Sequence, residues 1–304
     1  MREYHLPVML KESIEGLSLK DGGVYVDATF GGGGHSRAIL ESGKDIRLFS
    51  FDQDEDAQKI AETIKNENFV FIKDNFRNLR TGLALNRIKK IDGILFDLGV
   101  SSHQIDSPER GFSFMREGDL DMRMDTNTEL SAKEVINTYP KEQLQDIFIK
   151  YGEEREAFRI ARAIVEERKK RFISTTLQLA EIIDKSIKSH RRIKAKARIF
   201  QALRIYINRE IEALNEALKD AVHLLNKGGR IVVISYHSIE DRVVKQFFKY
   251  ENLSCICPDD FPVCRCNKVS TLKIITKKPI LPSEEEIAKN SRAKSAKLRI
   301  AERK

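Results

Sequence analysis

Three of the first four apolar runs in this 304-residue chain end on a glycine loop or a carboxylate, and helical patterns separate them. Val24-Tyr25-Val26-Asp27-Ala28-Thr29-Phe30 reads as a buried strand that runs into Gly31, Gly32, Gly33 and Gly34. His35 to Leu40 then reads as the start of a helix. A second strand, Ile46 to Phe51, ends in Asp52. Ala57, Ile60, Ala61 and Ile64 recur at the spacing of one helix face. Phe69 to Ile72 is a third strand, and Ile91 to Phe96 a fourth that ends in Asp97. Strands alternating with helices imply a parallel sheet covered on both faces. Such sheets bind ligands outside the carboxyl ends of their strands, so the glycines, Asp52 and Asp97 converge on one expected crevice.

From about Asp106 to about Ala197 the alternation stops and the patterns are helical. Leu144, Ile147, Phe148 and Tyr151 share one face, as do Ala157, Ile160, Ala161 and Ile164. A long helix is expected from near Ile199, with Leu203, Tyr206, Ile207, Ile211 and Leu214 inward, ending before Gly228-Gly229. The sheet resumes with Arg230 to Tyr236. Leu272 to Thr276 and Ala296 to Ala301 are further strands, the last expected at an edge because basic residues flank it. The organisation is therefore an α/β domain of residues 1–105 and 198–304, interrupted by a helical domain of residues 106–197.

With 41% hydrophobic and 33% charged residues, the chain has the balance of a soluble globular protein rather than a disordered one. No apolar run approaches the ~20 residues of a membrane span, and Met1-Arg2-Glu3-Tyr4-His5 lacks a signal core. A cytoplasmic protein with no membrane contact is expected. The net charge of +8 favours a polyanionic partner without identifying one. All four cysteines fall between Cys255 and Cys266, which is not how a disulfide scaffold is spaced.

Four consecutive glycines after a strand let backbone approach a ligand closely. The dinucleotide pattern G-x-G-x-x-G fits poorly, since counting from Gly31 its last place is Ser36. Asp52 can accept both ribose hydroxyls of an adenosine; the alternative use of a carboxylate here, a helix N-cap, suits Asp54 better. An acidic rim with no phosphate to neutralise suits S-adenosylmethionine, whose sulfonium is attracted to carboxylates. Asp97 is either a cap or a group at the reactive centre. His237, at the end of the fifth strand, is either structural or catalytic, and Ser238 with Asp241 reads as a capping box. Lys188, His190, Arg191, Arg192, Lys194, Lys196 and Arg198 form either a solvated face or a phosphate-contacting surface. Cys255, Cys257, Cys264 and Cys266 offer four thiolates for zinc, but C-x-C is less typical than C-x-x-C, and a reduced surface loop is the preferred reading.

Longer motifs now carry a resemblance. Phe30-Gly31-Gly32-Gly33-Gly34-His35-Ser36, Asp97-Leu98-Gly99-Val100-Ser101-Ser102, Arg110-Gly111-Phe112-Ser113-Phe114, Leu120-Asp121-Met122-Arg123-Met124-Asp125, Tyr151-Gly152-Glu153-Glu154, Phe200-Gln201-Ala202-Leu203-Arg204 and His237-Ser238-Ile239-Glu240-Asp241-Arg242 closely resemble the RsmH (MraW) family. The likeness runs from His5 through Glu302. It implies a Rossmann-like class I methyltransferase sheet with an inserted helical domain, and methylation of N4 of a cytidine in the decoding centre of bacterial 16S rRNA, within the small ribosomal subunit. S-adenosylmethionine is the implied cofactor. Gly33, Gly34 and His35 would contact its methionine part, Asp52 the ribose and Phe76 the adenine, with Asp97 and Gln104 completing the pocket. The family pattern does not require the cysteines, so a metal there would not be catalytic.

The cytosine amine is a poor nucleophile, and an acceptor for its N–H would help it attack. Asp97, Ser101 and His237 are the candidates; Arg191, Arg192, Lys194, Ser238 and Arg242 are candidates for contact with RNA. Two other readings stand beside this one. An amino-methyltransferase acting on DNA would carry a D-P-P-Y-type tetrad where this chain has Asp97-Leu98-Gly99-Val100. A cofactor-independent RNA-binding assembly factor would not need the intact glycine loop and Asp52.

Overall fold

In the computed structural model the described residues are 7–258 and 263–304; the reading of residues 1–5 as lacking a signal core lies outside them. The chain divides into two compact units, Met1–Gly99 with Ile211–Lys304, and Val100–Glu210. Boundaries expected at 105/106 and 197/198 thus fall at 99/100 and 210/211. The carboxyl-side shift has a simple cause: the helix Arg192–Asn208 packs on the helices Lys141–Gly152 and Thr176–Ser186, all in the second unit. The single long helix expected from Ile199 is two, because Arg209 adopts a left-handed conformation (φ 51°) that ends one helix before Glu210–Leu224 begins.

The first unit holds a seven-stranded sheet of β1 (Val24–Asp27), β2 (Arg47–Asp52), β3 (Phe69–Lys73), β4 (Ile91–Asp97), β5 (Leu225–Ser235), β6 (Leu272–Ile274) and β7 (Lys297–Arg303), in the order β3-β2-β1-β4-β5-β7-β6. The first five strands in that order run parallel, and β7 is antiparallel to both its neighbours. This is the Rossmann-like sheet that the resemblance implies. The last strand is not at an edge, as its basic flanks suggested; β6 takes that place. Side chains alternate between two buried faces. Val26, Ile94, Phe96, Ile231 and Val233 enter one core, and Tyr25, Leu95, Val232 and Ile234 the other. Burial on both faces is why these strands read as nearly unbroken apolar runs.

β7 lies inside the sheet because its charge is neutralised there. Arg299, 8% exposed, donates from Nε to Asp241 Oδ1 at 2.6 Å and from Nη2 to Oδ2 at 3.3 Å, and Lys297 Nζ lies 3.7 Å from Asp241. Asp241 belongs to the helix Ser238–Asn252, so the ion pair pins that helix to the sheet. Burial works against the Asp241 charge, but Arg299 and Lys297 outweigh it and hold the carboxyl below its ordinary value.

The second unit is helical. Leu144, Ile147, Phe148 and Tyr151 are buried in Lys141–Gly152, and Ala157, Ile160, Ala161 and Ile164 in Ala157–Arg168, the faces read from the sequence. An isolated bridge joins Asp119 and Thr175. Among the described residues, no helix is long and apolar enough to cross a membrane.

Replacing Arg299 with Met should cost about 3 kcal/mol by leaving Asp241 with Lys297 alone, the low end for breaking a buried pair. A lowered carboxylate stabilises the fold above its unfolded pKa of about 4, and that contribution is lost as pH falls through the folded value. Denaturant unfolding of the variant should therefore show a smaller acid dependence than the parent, alongside the lower midpoint.

Candidate active site

The crevice is built at the carboxyl ends of β2, β1, β4 and β5, which are adjacent in the sheet. The chain leaves β1 to one side for β2 and returns on the other for β4, the topological switch point where α/β sheets bind ligands. The glycine loop follows β1. Phe30 anchors it, buried against Phe71 and Phe69 with ring centroids 5.3 and 5.9 Å away. Gly33 sits on that ring with φ 75°, and a Cβ there would lie 2.7 Å from Phe30, so both conformation and space require glycine. Gly34 lies against Pro7, which a Cβ would meet at 2.9 Å. The helix Gly34–Leu40 then starts with no side chain capping it, so the amides of its first turn have no partner within the helix.

Asp52 ends β2 and holds this loop. Its Oδ2 accepts the Gly31 N–H at 2.8 Å and its Oδ1 accepts the Asp54 N–H at 2.9 Å. A carboxylate has about four acceptor positions, so each oxygen keeps one for a further donor. Asp54 caps the following helix by accepting from the Asp56 N–H, the division of labour between the two aspartates that the sequence suggested. Burial pushes Asp52 up to about 6 against the lowering effect of the two amides. Asn75, beside Phe76, donates from Nδ2 to Gln53 Oε1 at 2.9 Å. Phe76 itself stands edge-on to Phe96 of β4, centroids 5.8 Å apart.

Asp97 ends β4. Its backbone N–H donates to the Thr29 hydroxyl at 2.7 Å, and its Oδ1 accepts the Tyr236 hydroxyl at 2.7 Å. His35 Nδ1 lies 3.7 Å from Asp97 Oδ2, too far for a hydrogen bond but close enough to bias its charge. The other ring nitrogen, Nε2, is 3.1 Å from the Val8 carbonyl, which can only accept, so Nε2 carries a proton. Burial raises Asp97 to about 6, opposed by His35 and the Tyr236 hydrogen bond. Burial and the neighbouring Asp97 charge together push the Tyr236 phenol well above its ordinary value.

Asp27 and Tyr236 belong to this site although the motif reading passed over them. Asp27 is fully buried and accepts from Ser36 Oγ at 2.6 Å and the Thr29 N–H at 3.2 Å. Burial raises its pKa, and the nearby His35, Ser36 and Thr29 pull it down. A carboxylate inside an otherwise apolar strand, followed by Thr29 and Ser36, was the available signal. For Tyr236 it was a phenol directly after the fifth apolar run.

His237 is the N-cap of the helix Ser238–Asn252. Its Nδ1 accepts the Glu240 N–H at 3.3 Å, and Glu240 Oε2 accepts the Tyr236 N–H at 2.9 Å and the His237 N–H at 3.4 Å. The capping box is therefore His237 with Glu240, not Ser238 with Asp241; Asp241 is engaged by Arg299 instead. Ser238 and Arg242 are exposed at the start of this helix.

Ser101 and Gln104 lie in the second unit. Ser101 caps the helix Ser102–Asp106, its N–H donating to Gln104 Oε1 at 3.0 Å and its Oγ accepting the Gln104 N–H at 3.2 Å. The basic run is partly neutralised. Lys196 Nζ donates to Asp184 at 2.8 Å, and Arg198 and Arg191 lie 3.4 and 3.8 Å from Glu154 and Glu156. Lys188, Arg191, Arg192 and Lys194 are exposed.

The sequence matches the MraW methylase family over residues 2–304. It is 53% identical over 304 residues to the ribosomal RNA small subunit methyltransferase H of Carboxydothermus hydrogenoformans, covering 98% of this chain and 97% of that one. The proteins of that name from Finegoldia magna and Clostridioides difficile are each 48% identical, covering 98% of both chains and 100% of both chains respectively. A match from end to end, at this identity, shows that the chain belongs to the MraW methylase family.

Proposed function

We propose that this chain transfers the methyl group of S-adenosylmethionine to the exocyclic N4 of a cytidine in the decoding centre of 16S rRNA within the small ribosomal subunit. The observation that carries the reading is the set of carboxylates at adjacent strand ends. Asp27, Asp52 and Asp97 surround the glycine loop, and among the described residues no basic side chain hydrogen-bonds to them. Such a rim repels a dinucleotide's phosphates and attracts a sulfonium. Bound there, S-adenosylmethionine supplies a methyl group activated by positively charged sulfur.

The chain's own residues do the rest. Asp52 offers one open acceptor on each oxygen to the ribose hydroxyls. The uncapped amides of Gly34 and His35 would hold the methionine carboxylate, and Phe76 would offer an apolar face to the adenine. Methyl transfer joins the cytosine nitrogen to the methyl carbon, breaks the carbon–sulfur bond and leaves an extra proton on nitrogen. Asp97, oriented by the Tyr236 hydroxyl, would accept an N–H of the amine as positive charge builds there, steering the lone pair out of the ring. The extra proton then leaves nitrogen through Asp97 to solvent, and sulfur departs in the neutral thioether S-adenosylhomocysteine. Alignment of nitrogen, carbon and sulfur supplies much of the remaining rate. The target base must be unstacked to reach such a site. The exposed cations Arg191, Arg192 and Lys194 suit the RNA backbone in the helical unit, and Ser238 and Arg242 suit it at the helix after β5.

Incubating unmodified small ribosomal subunits with the methyl-labelled cofactor, then digesting the RNA to nucleosides, tests the reaction. Label in N4-methylcytidine from 16S rRNA is expected; label confined to another nucleoside, or none, overturns the assignment. The role of Asp97 is tested by Asp97→Asn in single turnovers with cofactor saturating. The rate should fall by ~10²–10³, the scale of one preorganised electrostatic contact. The parent rate should also decline below about pH 6 as Asp97 takes up a proton, and the variant should lose that dependence. A near-normal rate would leave Asp97 as a binding residue only.

A further inference from the structure

The four cysteines lie together on the segment between the helix Ser238–Asn252 and β6. All four Sγ atoms are within 4.8 Å of one another. Cys255 Sγ is 3.4 Å from Cys264 Sγ and 3.9 Å from Cys266 Sγ, and Cys264 and Cys266 are 3.5 Å apart. A disulfide would bring sulfurs to about 2.0 Å, and all four are free thiols. Tetrahedral zinc with Zn–S of about 2.3 Å separates its sulfurs by about 3.8 Å; the distances of 3.4, 3.5 and 3.9 Å, with all four sulfurs within 4.8 Å, lie around that value.

The backbone around the sulfurs is arranged for thiolates. The Ile256 N–H, between the first two cysteines, donates to Cys266 Sγ at 3.3 Å, and the Arg265 N–H, between the last two, donates to Cys257 Sγ at 3.3 Å. The Cys257 N–H reaches Cys255 Sγ at 3.4 Å. Each C-x-C arm thus gives its central amide to a sulfur of the other arm, the kind of hydrogen bond that orients metal ligands and spreads their charge. Arg265 stands on the same segment, where a tetrathiolate site would carry excess negative charge.

Lys268 Nζ, 3.3 Å from Glu251 Oε2, and Ser270 Oγ, 2.8 Å from the Asn252 carbonyl, tie the base of the segment to the helix, beyond the two cysteine arms. None of the described residues between 253 and 271 is buried, and Ile256, Val263 and Val269 are exposed. Loops longer than about 12–15 residues with no secondary structure of their own are uncommon in compact domains and are usually functional or linker segments. The segment enters the sheet at Leu272, which pairs with Arg303, while the adjacent Glu302 pairs with Arg230 at the amino side of β5. That is the end of the sheet opposite the crevice.

The geometry points to a structural zinc site formed by Cys255, Cys257, Cys264 and Cys266, which staples the connection from the helix Ser238–Asn252 to the edge strand β6. Binding displaces the remaining thiol protons and needs no redox step. Four protein ligands close the coordination sphere, so the ion does not take part in methyl transfer. Elemental analysis of the purified, reduced protein after gel filtration should find about one zinc per chain. Cobalt(II) added to the chelator-stripped wild-type protein should give the visible bands and near-ultraviolet thiolate charge transfer of a tetrahedral thiolate site, and zinc should abolish them. Cys257→Ser with Cys266→Ser should lose the metal and expose the segment to protease while cofactor affinity is kept. Zinc well below one per chain with no cobalt–thiolate spectrum overturns the proposal, as does iron in place of zinc or zinc that survives the double substitution.

Discussion

The Asp52 carboxylate joins the two segments from which the crevice is made. One oxygen holds the amide that opens the glycine loop, the other the amide that leads into the next helix. Hydrogen bonds to a charged group are worth about 1.5–3 kcal/mol each, so a single side chain fixes the height of the loop against the end of β2. The burial that makes these bonds strong also opposes the charge and brings the group to about 6. Further donors would relieve that opposition, and the two hydroxyls of a ribose are the donors the proposed cofactor brings. Asp97, one strand beyond β1, is likewise largely buried and accepts a phenol's hydrogen bond, with an imidazole 3.7 Å away beside its other oxygen. Asp52 and Asp97 are thus both carboxylates kept largely out of water, at the ends of the two strands that flank β1.

Much of this was legible in the sequence because it is local. Apolar runs marked the strands, and the glycine or carboxylate closing a run marked a strand's carboxyl end. Gly31 to Gly34, Asp52 and Asp97 were found that way, and so was the cap at Asp54. The features that escaped depend on partners distant in sequence. β7 read as an edge strand because basic residues flank it, and nothing near Arg299 in the chain announces that Asp241, 58 residues away, neutralises it. Asp27 read as one letter of a strand until Ser36 and Thr29 were seen to satisfy it. The capping box was placed one residue late, because Ser is a commoner N-cap than His. The break at Arg209 left no proline or glycine to mark it.

The helical unit shows the same limit from the other side. A run of seven basic residues looks uniform as sequence, but its members differ in the fold. Lys196, Arg198 and Arg191 have carboxylates at hand, whereas Arg192 and Lys194 stand exposed. Surface ion pairs are weak, about 0–1 kcal/mol, so a phosphate can compete for the outer members of the run. Lys196, only 16% exposed, is committed to Asp184.

Calorimetric titration of S-adenosylmethionine into Asp52→Ala tests the central claim most directly. Unfolding and circular dichroism of the variant establish first that it retains the fold. Two charge-assisted contacts at about 1.5–3 kcal/mol each predict a loss of affinity of at least ~100-fold, and the parent's affinity should itself weaken as pH falls through about 6. An unchanged affinity in the folded variant would contradict the claim that Asp52 is the point from which the crevice holds its cofactor.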